Sequence, residues 1–374
     1  MHVYLLSDSP LKQSVVRELL NDFDIRHVVN AMSIDNIITE LKLQKLPAQP
    51  INESGLSCAI SRINYFKFFM ESKNLIDRLQ NALIISIENY IETEFYVDKC
   101  CVVIEYNNVL CHGISTDDVA HFPKKLLENI GEQVTYNVKY DFHNPEAELC
   151  KLVGYDMTIG SYINSIDNTT SANDWMKKYN PRITRRTQIY NAFENLNFIS
   201  LLSSFMTTTN DFPTKGVVFK DIFPLLSDNF LRIILYNEIM KVINASDKTF
   251  DYVVGLESRG FILGPVISDY LNCGFVPIRK VGKLPPPTFK EEYVKEYGKD
   301  IAEISQNCIP PNANVLVVDD ILATGGSLRV AEKLLEHFKC HSITFFVLSR
   351  VDELSDQALQ TLGDSYDNVL SLFN

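Results

Sequence analysis

The segment VLVVDDILATGGS (315–327) contains the residues whose types and spacing are best suited to chemistry. Asp319 and Asp320 end an apolar stretch, and a Thr-Gly-Gly-Ser sequence follows them. Two neighbouring carboxylates suit adjacent hydroxyls such as those of a ribose, whereas the glycines let backbone N–H groups converge on an anion. The hydroxyls of Thr324 and Ser327 and a following helix N-terminus favour a phosphate. A ribose 5-phosphate therefore fits both halves of the segment.

The same segment has a simpler structural interpretation, in which an ordinary strand, turn and helix use an aspartate as a helix cap. Two adjacent acids followed by Thr-Gly-Gly-Ser after an apolar strand favour the phosphate-binding interpretation. The segment differs from a P-loop because it lacks the sequence G-x-x-x-x-G-K.

Alternating strands and helices must position this segment. Strands are predicted at 251–257, 275–280, 314–320 and 342–350, and the stretches GFILGPVISDYLN and SLRVAEKLLEHF predict helices between them. This alternation is typical of an α/β fold with a parallel sheet and helices on both faces. Ligands in such folds bind at the carboxyl ends of the strands, where Asp319 and Asp320 stand.

The chain has 374 residues, a length typical of two or three domains. A polar segment between Asn191 and Pro213 is the favoured break and predicts domains at 1–195 and 196–374. The first domain is predicted to be α/β or α+β, with strands at 2–6, 81–88, 100–105 and 109–115. The polar stretch from Tyr162 to Asn180 is predicted to be a surface insertion.

The net charge of −12 argues against a protein that coats nucleic acid or binds an anionic membrane. The eight cysteines form no C-x-x-C pair, so reduced thiols are expected rather than a disulfide framework or a zinc site. The N-terminus is a poor signal peptide, and no apolar run has the length of a membrane helix. A cytoplasmic protein with no nucleic-acid or membrane partner is expected.

The segment 315–327 resembles the 5-phosphoribosyl 1-pyrophosphate (PRPP) binding motif of type I phosphoribosyltransferases. Three further stretches resemble adenine phosphoribosyltransferases: FPTKGVVFKDIFPLL (212–226), GLESRGF (255–261) and IRKVGKLPPPTFKEEYVKEYGK (278–299). The resemblance covers most of residues 197–374 and implies a type I phosphoribosyltransferase fold with a hood and a lid loop. It also implies purine salvage, in which adenine and PRPP give AMP and pyrophosphate with Mg²⁺, and a homodimer.

The resemblance assigns roles to individual residues. The carboxylates would bind the ribose hydroxyls, the turn would bind the 5-phosphate and the basic residues would neutralise pyrophosphate. The residues implied in PRPP binding are Asp319, Asp320, Ala323, Thr324, Gly325, Gly326, Ser327, Arg259, Arg279, Lys280, Lys283 and Tyr297. Val218 and Lys220 would line the adenine pocket, and Glu296 on the lid (283–300) would be the acid/base.

The sequence departs from the family pattern at Glu257, where many members have Asp, and at Lys220, where Arg is common. Three prolines at 285–287 replace a Pro-Gly pair, which would stiffen the lid hinge. The basic cluster at 279–283 has an alternative interpretation as a solvated surface strand.

The N-terminal half resembles the inosine/xanthosine triphosphatase family in the stretches LLSDSPLK (5–12), LPAQPINESGLSCAISRIN (46–64), ISIENYIE (85–92) and PRITRRTQIYNAF (181–193). The resemblance implies hydrolysis of ITP or XTP to the monophosphate and pyrophosphate with Mg²⁺. The residues that it implicates are Lys12 and Arg62 as phosphate ligands, Glu88 as metal ligand or water-activating group, and Arg182 or Arg185 as a further phosphate contact.

This half departs from the family pattern at Ser9 and Ser61, which replace asparagines, and at Tyr90, which replaces a glycine. An acidic residue expected before LPAQP has no counterpart in LKLQK. Two alternatives remain open for this half, an active hydrolase and an inactive regulatory or dimerising module. A purine-nucleotide sensor that acts on the transferase is a variant of the second.

Two other functions compete for the C-terminal half. A transferase for guanine, xanthine or orotate is one, although GVVFKD and EYVKEYGK argue against it. A PRPP-sensing regulator is the other, although the N-terminal half has no helix-turn-helix sequence and the chain is acidic.

Overall fold

A computed structural model describes the chain except for residues 117–119, 140–148, 168–169, 173–174, 211–217, 296–297, 352–353 and 374. It divides into two compact units, Met1–Phe205 and Met206–Asn374. The boundary predicted after residue 195 precedes the helix Phe198–Phe205, which belongs to the first unit. That helix buries Phe198, Leu201 and Leu202, so its apolar face is part of the first unit's packing.

The first unit combines a mixed sheet, a smaller antiparallel sheet and surrounding helices. Its strands are β1 (His2–Leu5), β2 (Val28–Ala31), β3 (Gln49–Pro50), β4 (Leu83–Glu92), β5 (Val97–Tyr106), β6 (Val109–Ile114), β7 (Ala120–His121), β8 (Val134–Lys139) and β9 (Leu149–Tyr155). Its α-helices are α1 (Pro10–Asp22), α2 (Ile34–Leu41), α3 (Ser54–Ser72), α4 (Lys125–Asn129), α5 (Ile159–Ile166), α6 (Arg185–Glu194) and α7 (Phe198–Phe205).

The main sheet of this unit has the order β2-β1-β4-β5-β6, with β7 beside β5. Strand β1 runs parallel to β2 and β4, whereas β4, β5 and β6 are antiparallel. Helix α1 begins where Ser9 accepts the N–H of Lys12 and Pro10 takes the first helical position, a combination typical of helix starts. The sequence Ser-x-Ser-Pro-x-Lys is thus a helix cap that also sets Lys12 in the first turn.

The prediction of a surface insertion at Tyr162–Asn180 is wrong for the residues that surround Trp175. Trp175 and Met176 are buried in a cluster with Ile159 and Phe122, and the Trp175 and Phe122 rings meet edge to face at 5.5 Å. The stretch is polar on average, but Ile163, Trp175 and Met176 lie in a core. The sequence does not reveal these buried residues, because they are few and do not recur with the spacing of a helix or a strand.

The second unit is built around one large sheet. Its strands are β10 (Thr207–Asn210), β11 (Val218–Asp221), β12 (Tyr252–Leu256), β13 (Gly274–Lys280), β14 (Thr288–Lys295), β15 (Gly298–Ser305), β16 (Asn314–Leu322), β17 (Ser342–Arg350) and β18 (Val369–Phe373). Its α-helices are α8 (Phe223–Ser227), α9 (Asn229–Asn244), α10 (Gly260–Leu271), α11 (Gly326–Glu336) and α12 (Ser355–Leu362).

The large sheet has the order β14-β15-β13-β12-β16-β17-β18 and is mixed, which corrects the prediction of a purely parallel sheet. The stretch from β13 to β18 is parallel, whereas β15 pairs antiparallel with β13 and with β14. Much of the predicted lid loop (283–300) therefore lies in a β-hairpin. A hairpin can place one face in solvent, as parallel strands rarely do, which suits the charged sequence of β14.

The parallel strands bury a continuous apolar core, as the sequence predicts. Residues 315–318 of β16 are fully buried, with helices packed against the sheet. Helix α11 contributes Leu328, Ala331, Leu334 and Leu335, whose spacing gives one apolar face. This packing holds the carboxyl end of β16 and the start of α11 in a fixed relation.

Candidate active site

The centre of the site is the connection from β16 to α11. Asp319 and Asp320 lie at the end of β16, and the backbone N–H of Asp320 donates to Asp319 Oδ1 at 2.9 Å. Gly325 has φ +82°, a conformation that favours glycine, and α11 begins at the next residue. The first N–H groups of a helix have no partner within the helix, so this turn presents several donors to an anion.

Arg259 is brought to the same place by the connection from β12 to α10. Its Nη1 forms an ion pair with Asp320 Oδ2 at 2.8 Å. A Cβ at Gly260 would overlap the carbonyl oxygen of Val318, so the glycine allows the start of α10 to lie directly on β16. In the sequence Arg-Gly, Arg259 therefore supplies the cation, and Gly260 allows the start of α10 to lie close enough to β16 for the ion pair to form.

Burial raises the pKa of Asp319, and the neighbouring Asp320 carboxylate raises it further. Burial also raises the pKa of Asp320, although the Arg259 guanidinium opposes that effect. The pair resists double ionisation because like charges so close together repel. A ligand whose hydroxyls donate hydrogen bonds to both carboxylates would favour the fully ionised pair.

Two further cations, Arg279 and Lys280, lie at the end of β13. Glu257 follows β12, and its carboxylate accepts Arg279 Nη2 and the backbone N–H of Lys280, each at 3.0 Å. The hydrogen bond from Arg279, followed by that from Lys280, lowers the pKa of Glu257. Lys280 Nζ lies 3.5 Å from Asp300 Oδ2, and Lys283 is exposed. Glu257, which stands where many family members have Asp, thus still provides a carboxylate that binds Arg279.

The sequence analysis missed Glu303, which lies on β15 and is 1% exposed. Its Oε1 accepts the backbone N–H groups of Lys283 at 2.8 Å and Leu284 at 2.9 Å, and its Oε2 accepts the Thr288 hydroxyl at 3.1 Å. The residue pattern gives no signal for it, because an acid between Ala302 and Ile304 would face the side of the strand opposite to theirs. The acid is nevertheless buried, and a buried acid needs hydrogen-bond donors.

The residues implied in adenine binding are only partly defined. Val218 pairs with Asn210 across the β10–β11 hairpin, and Lys220 Nζ donates to Ser349 Oγ at 3.5 Å, near the end of β17. Glu296 and Tyr297 lie outside the described residues.

In the first unit, three of the implied residues come together beside β4. Lys12 Nζ donates to the carbonyl oxygen of Ile87 at 2.7 Å, and Arg62 Nε lies 2.5 Å from Glu88 Oε2. Burial lowers the pKa of Lys12, Glu88 opposes this, and Arg62 and Arg185 add to the lowering. Lys12, Arg62 and Glu88 therefore form one electrostatic cluster.

The other two implied residues have different surroundings. Arg185 is buried and binds Asp98 Oδ2 at 2.7 Å and Gln188 Oε1 at 2.8 Å, which ties α6 to β5. Burial raises the pKa of Asp98, while Arg185 opposes that effect. Arg182 is exposed on the turn that precedes α6.

Tyr90 lies at the wall of a cavity of about 610 Å³ in the first unit. A Cβ at Gly55 would overlap the Tyr90 ring, so the ring packs directly on the start of α3. The cavity is also lined by three glutamates, Glu53, Glu92 and Glu94, of which Glu92 is paired with Lys99. This lining is unfavourable for a triphosphate, because like charges repel.

A magnesium ion fits the second unit better than the first. Among the described residues, no group of three His, Cys, Asp or Glu side chains could hold a metal. Mg²⁺ commonly uses one or two carboxylates together with substrate phosphates, and Asp319 and Asp320 match that donor set. Glu88 is paired with Arg62 as Asp320 is with Arg259, but Glu88 has no second carboxylate beside it in the chain. None of the described helices has the length and apolar character needed to cross a membrane.

The C-terminal region is similar to known phosphoribosyltransferases. A family model of the phosphoribosyl transferase domain matches residues 226–364. The adenine phosphoribosyltransferase of Candida albicans is 45% identical over 146 residues, which span 38% of this chain and 76% of that protein. The Natranaerobius thermophilus adenine phosphoribosyltransferase is 41% identical over 173 residues, 46% of this chain and 98% of that protein. A crystal structure of the Saccharomyces cerevisiae enzyme complexed with an imino-altritol bisphosphate and adenine has 36% identity, covers 47% of this chain and 98% of that chain, and has a TM-score of 0.44.

Proposed function

Because the chain belongs to the adenine phosphoribosyltransferase family through its C-terminal region, we propose that it converts adenine and PRPP to AMP and pyrophosphate. The observation that carries the proposal is the meeting of the Asp319–Asp320 pair, the glycine turn before α11 and Arg259. These groups match the ribose hydroxyls, the 5-phosphate and the pyrophosphate of PRPP. The names of the similar proteins support adenine as the acceptor.

In the proposed reaction, the bond between the anomeric carbon and pyrophosphate breaks while a ring nitrogen of adenine bonds to that carbon. Positive charge develops on the ribose, and negative charge develops on the leaving pyrophosphate. Arg259, Arg279 and Lys283 would stabilise the second charge, and charges fixed in advance are effective because little reorganisation is needed. Glu296 is the candidate to accept the adenine proton.

The carboxylates of Asp319 and Asp320 have a second proposed role. They would hold a Mg²⁺ ion carried by PRPP, which would supply further neutralisation of the pyrophosphate charge. The same carboxylates would orient the ribose by accepting hydrogen bonds from its two hydroxyls. Their orientation is set by β16, whose end is fixed by the packed core.

Base competition tests the proposed acceptor. The full chain would receive labelled adenine, PRPP and Mg²⁺, with unlabelled guanine, hypoxanthine, xanthine or orotate as competitors. We expect labelled AMP and little competition from the other bases. Efficient transfer to another base, with no AMP, would identify a transferase of different specificity. PRPP binding without transfer to any base would favour the PRPP-sensing regulator.

For the first unit we propose, as a second candidate, hydrolysis of ITP or XTP to the monophosphate and pyrophosphate. The observation that favours it is the convergence of Lys12, Arg62 and Glu88 beside β4. The engagement of Glu88 by Arg62 and the acidic lining near Tyr90 favour the alternative, an accessory module without this activity.

Pyrophosphate release from the full chain decides between these alternatives. The assay would use ITP, XTP, GTP and ATP with Mg²⁺ and without PRPP, so that the transferase cannot contribute. Release from ITP or XTP that disappears in Glu88→Gln would establish a second activity. Absence of release from all four nucleotides would assign the first unit an accessory role.

A further inference from the structure

The loop between β13 and β14 is held by one buried carboxylate. Glu303 occupies the middle strand of the β14-β15-β13 group, and its backbone is opposite Arg279 on β13 and Lys290 on β14. Its carboxylate receives the N–H groups of Lys283 and Leu284 and the hydroxyl of Thr288. The three donors come from the two ends of the loop 283–288, so one side chain closes it.

The donors explain how a carboxylate is accommodated there. Burial alone would raise the pKa of Glu303, but the hydrogen bonds from Leu284, Lys283 and Thr288 outweigh that effect and lower the pKa. Two adjacent backbone N–H groups on one oxygen define the direction of the chain at Lys283. A buried carboxylate with several partners is difficult to replace without leaving donors unsatisfied.

The held loop carries or supports the cations that face the pyrophosphate in the proposed reaction. Lys283 belongs to the loop, and its carbonyl oxygen accepts Arg279 Nη1 at 3.4 Å. Arg279 is held on its other side by Glu257 at 3.0 Å. Glu303 is thus hydrogen-bonded directly to the backbone of Lys283, and Lys283 in turn accepts a hydrogen bond from the Arg279 guanidinium. Glu303 would act on the pyrophosphate through these two residues and not by direct contact.

We propose that Glu303 is a positioning residue that orients Lys283 and Arg279 toward the pyrophosphate group, an inference that rests on the proposed transferase function. Its removal therefore affects the pyrophosphate end of the reaction. Adenine binding is left unchanged, because Val218 and Lys220 lie on a different hairpin.

The test is pyrophosphate binding to the full chain by calorimetry, together with KM for PRPP and for adenine. In Glu303→Ala, we expect pyrophosphate affinity to fall about tenfold or more, because two N–H groups lose their acceptor. KM for PRPP rises by a similar factor, and KM for adenine stays within about twofold. Glu303→Gln restores most of the affinity, because its amide oxygen still accepts both N–H groups and Thr288 can reverse its hydroxyl.

Two controls separate positioning from general destabilisation. Glu332→Ala removes another carboxylate of the second unit, one that binds Arg329 and Ser365, and it should leave pyrophosphate affinity unchanged. In a Lys283→Ala background, Glu303→Ala should cost less affinity than in the wild type, because part of what it positions is gone. If Glu303→Ala does not fold, Glu303→Asp replaces it, since the shorter side chain keeps the charge but loosens the loop.

Equal losses in the two backgrounds, or an equal rise of KM for adenine, would overturn the inference. Unchanged pyrophosphate affinity in Glu303→Ala, or in Glu303→Asp where that variant is needed, would overturn it as well. The outcome is separable from that of the proposed function. A wild type that forms no AMP but shows the expected affinity pattern refutes the transferase and retains the positioning role, whereas AMP formation without the pattern does the reverse.

Discussion

The two units both place cations and carboxylates beside a central strand, but they use the charges differently. In the first unit, Arg185 and Asp98 form a pair whose side chains are 10% and 0% exposed. In the second, Arg279 and Glu257 are 33% and 25% exposed. A partly exposed pair can exchange its partner for a ligand at small cost, whereas a buried pair cannot be opened without a large penalty.

The backbone differs as well. The turn before α11 has a glycine in the left-handed region and offers N–H groups to an anion. Beside β4, the carboxylate of Glu88 is bound by Arg62, and Lys12 is bound by a carbonyl oxygen. In both places a guanidinium binds a carboxylate, Arg62 on Glu88 and Arg259 on Asp320. The second carboxylate, Asp319, and the glycine turn before α11 distinguish the site in the second unit.

The largest expected effect is on stability in the first unit. Asp98→Ala leaves the buried Arg185 without its carboxylate partner and should reduce the free energy of unfolding by about 3–5 kcal/mol. Urea denaturation monitored through Trp175 would measure it, because that residue is the only tryptophan. Glu257→Ala is the matched change in the more exposed pair of the second unit, where scanning calorimetry would follow unfolding, and it should cost about 1 kcal/mol or less. Equal losses would contradict the assigned difference between the pairs.

The largest expected effect on the reaction is at the carboxylate pair. Asp319→Asn should reduce kcat/KM for PRPP by about 100-fold or more, because a charged acceptor aimed at the ribose is lost. Steady-state AMP formation measures the change, and thermal unfolding serves as the control for folding. A loss below threefold would mean that the pair is a structural feature of β16.

Gly325 should show a smaller effect, from backbone geometry alone. In Gly325→Ala the residue must keep φ +82°, where a Cβ costs about 1–2 kcal/mol. The new Cβ would also lie 3.2 Å from Leu362 Cγ. We expect PRPP affinity to fall about tenfold, as the cost of keeping the turn implies. Gly363→Ala is the matched control, since its φ is +56° with open space around it; it should lower stability without altering PRPP affinity.

The smallest expected effect is a pH dependence. The pKa values of Asp319 and Asp320 are raised, so the free site retains protons at a pH where exposed aspartates have lost them. Binding ribose hydroxyls requires the ionised carboxylates, so PRPP binding releases protons and weakens as pH falls through the raised pKa values. KM for PRPP should rise as the pH is lowered from neutral, at a pH above the range in which exposed aspartates titrate, while KM for adenine is less affected. A KM for PRPP that falls on acidification would contradict the assignment.

The sequence predicts what depends on local pattern. The strand, acid pair, turn and helix at 314–336 are contiguous, so apolar runs and glycines suffice to place them. The antiparallel β14–β15 hairpin is not predicted, because the family resemblance implies a lid loop at 283–300. The roles of Trp175 and Glu303 depend on partners remote in sequence or across a loop, which residue patterns do not reveal.

The sequence pattern also does not reveal whether a candidate side chain already has an ion-pair partner. Glu88 and Arg62 fit their proposed roles by type and spacing, yet the structure pairs them with each other. Arg185 fits as well, but Asp98, the residue that engages it, lies on a different element. A sequence can name candidate ligands, whereas their availability depends on three-dimensional neighbours.

The most direct test of the central claim is AMP formation by the full chain from labelled adenine, PRPP and Mg²⁺. The site in the second unit predicts AMP and pyrophosphate in equal amounts, with no AMP when PRPP is omitted. A folded protein that binds PRPP and adenine but forms no AMP would contradict the claim that this site is a working transferase.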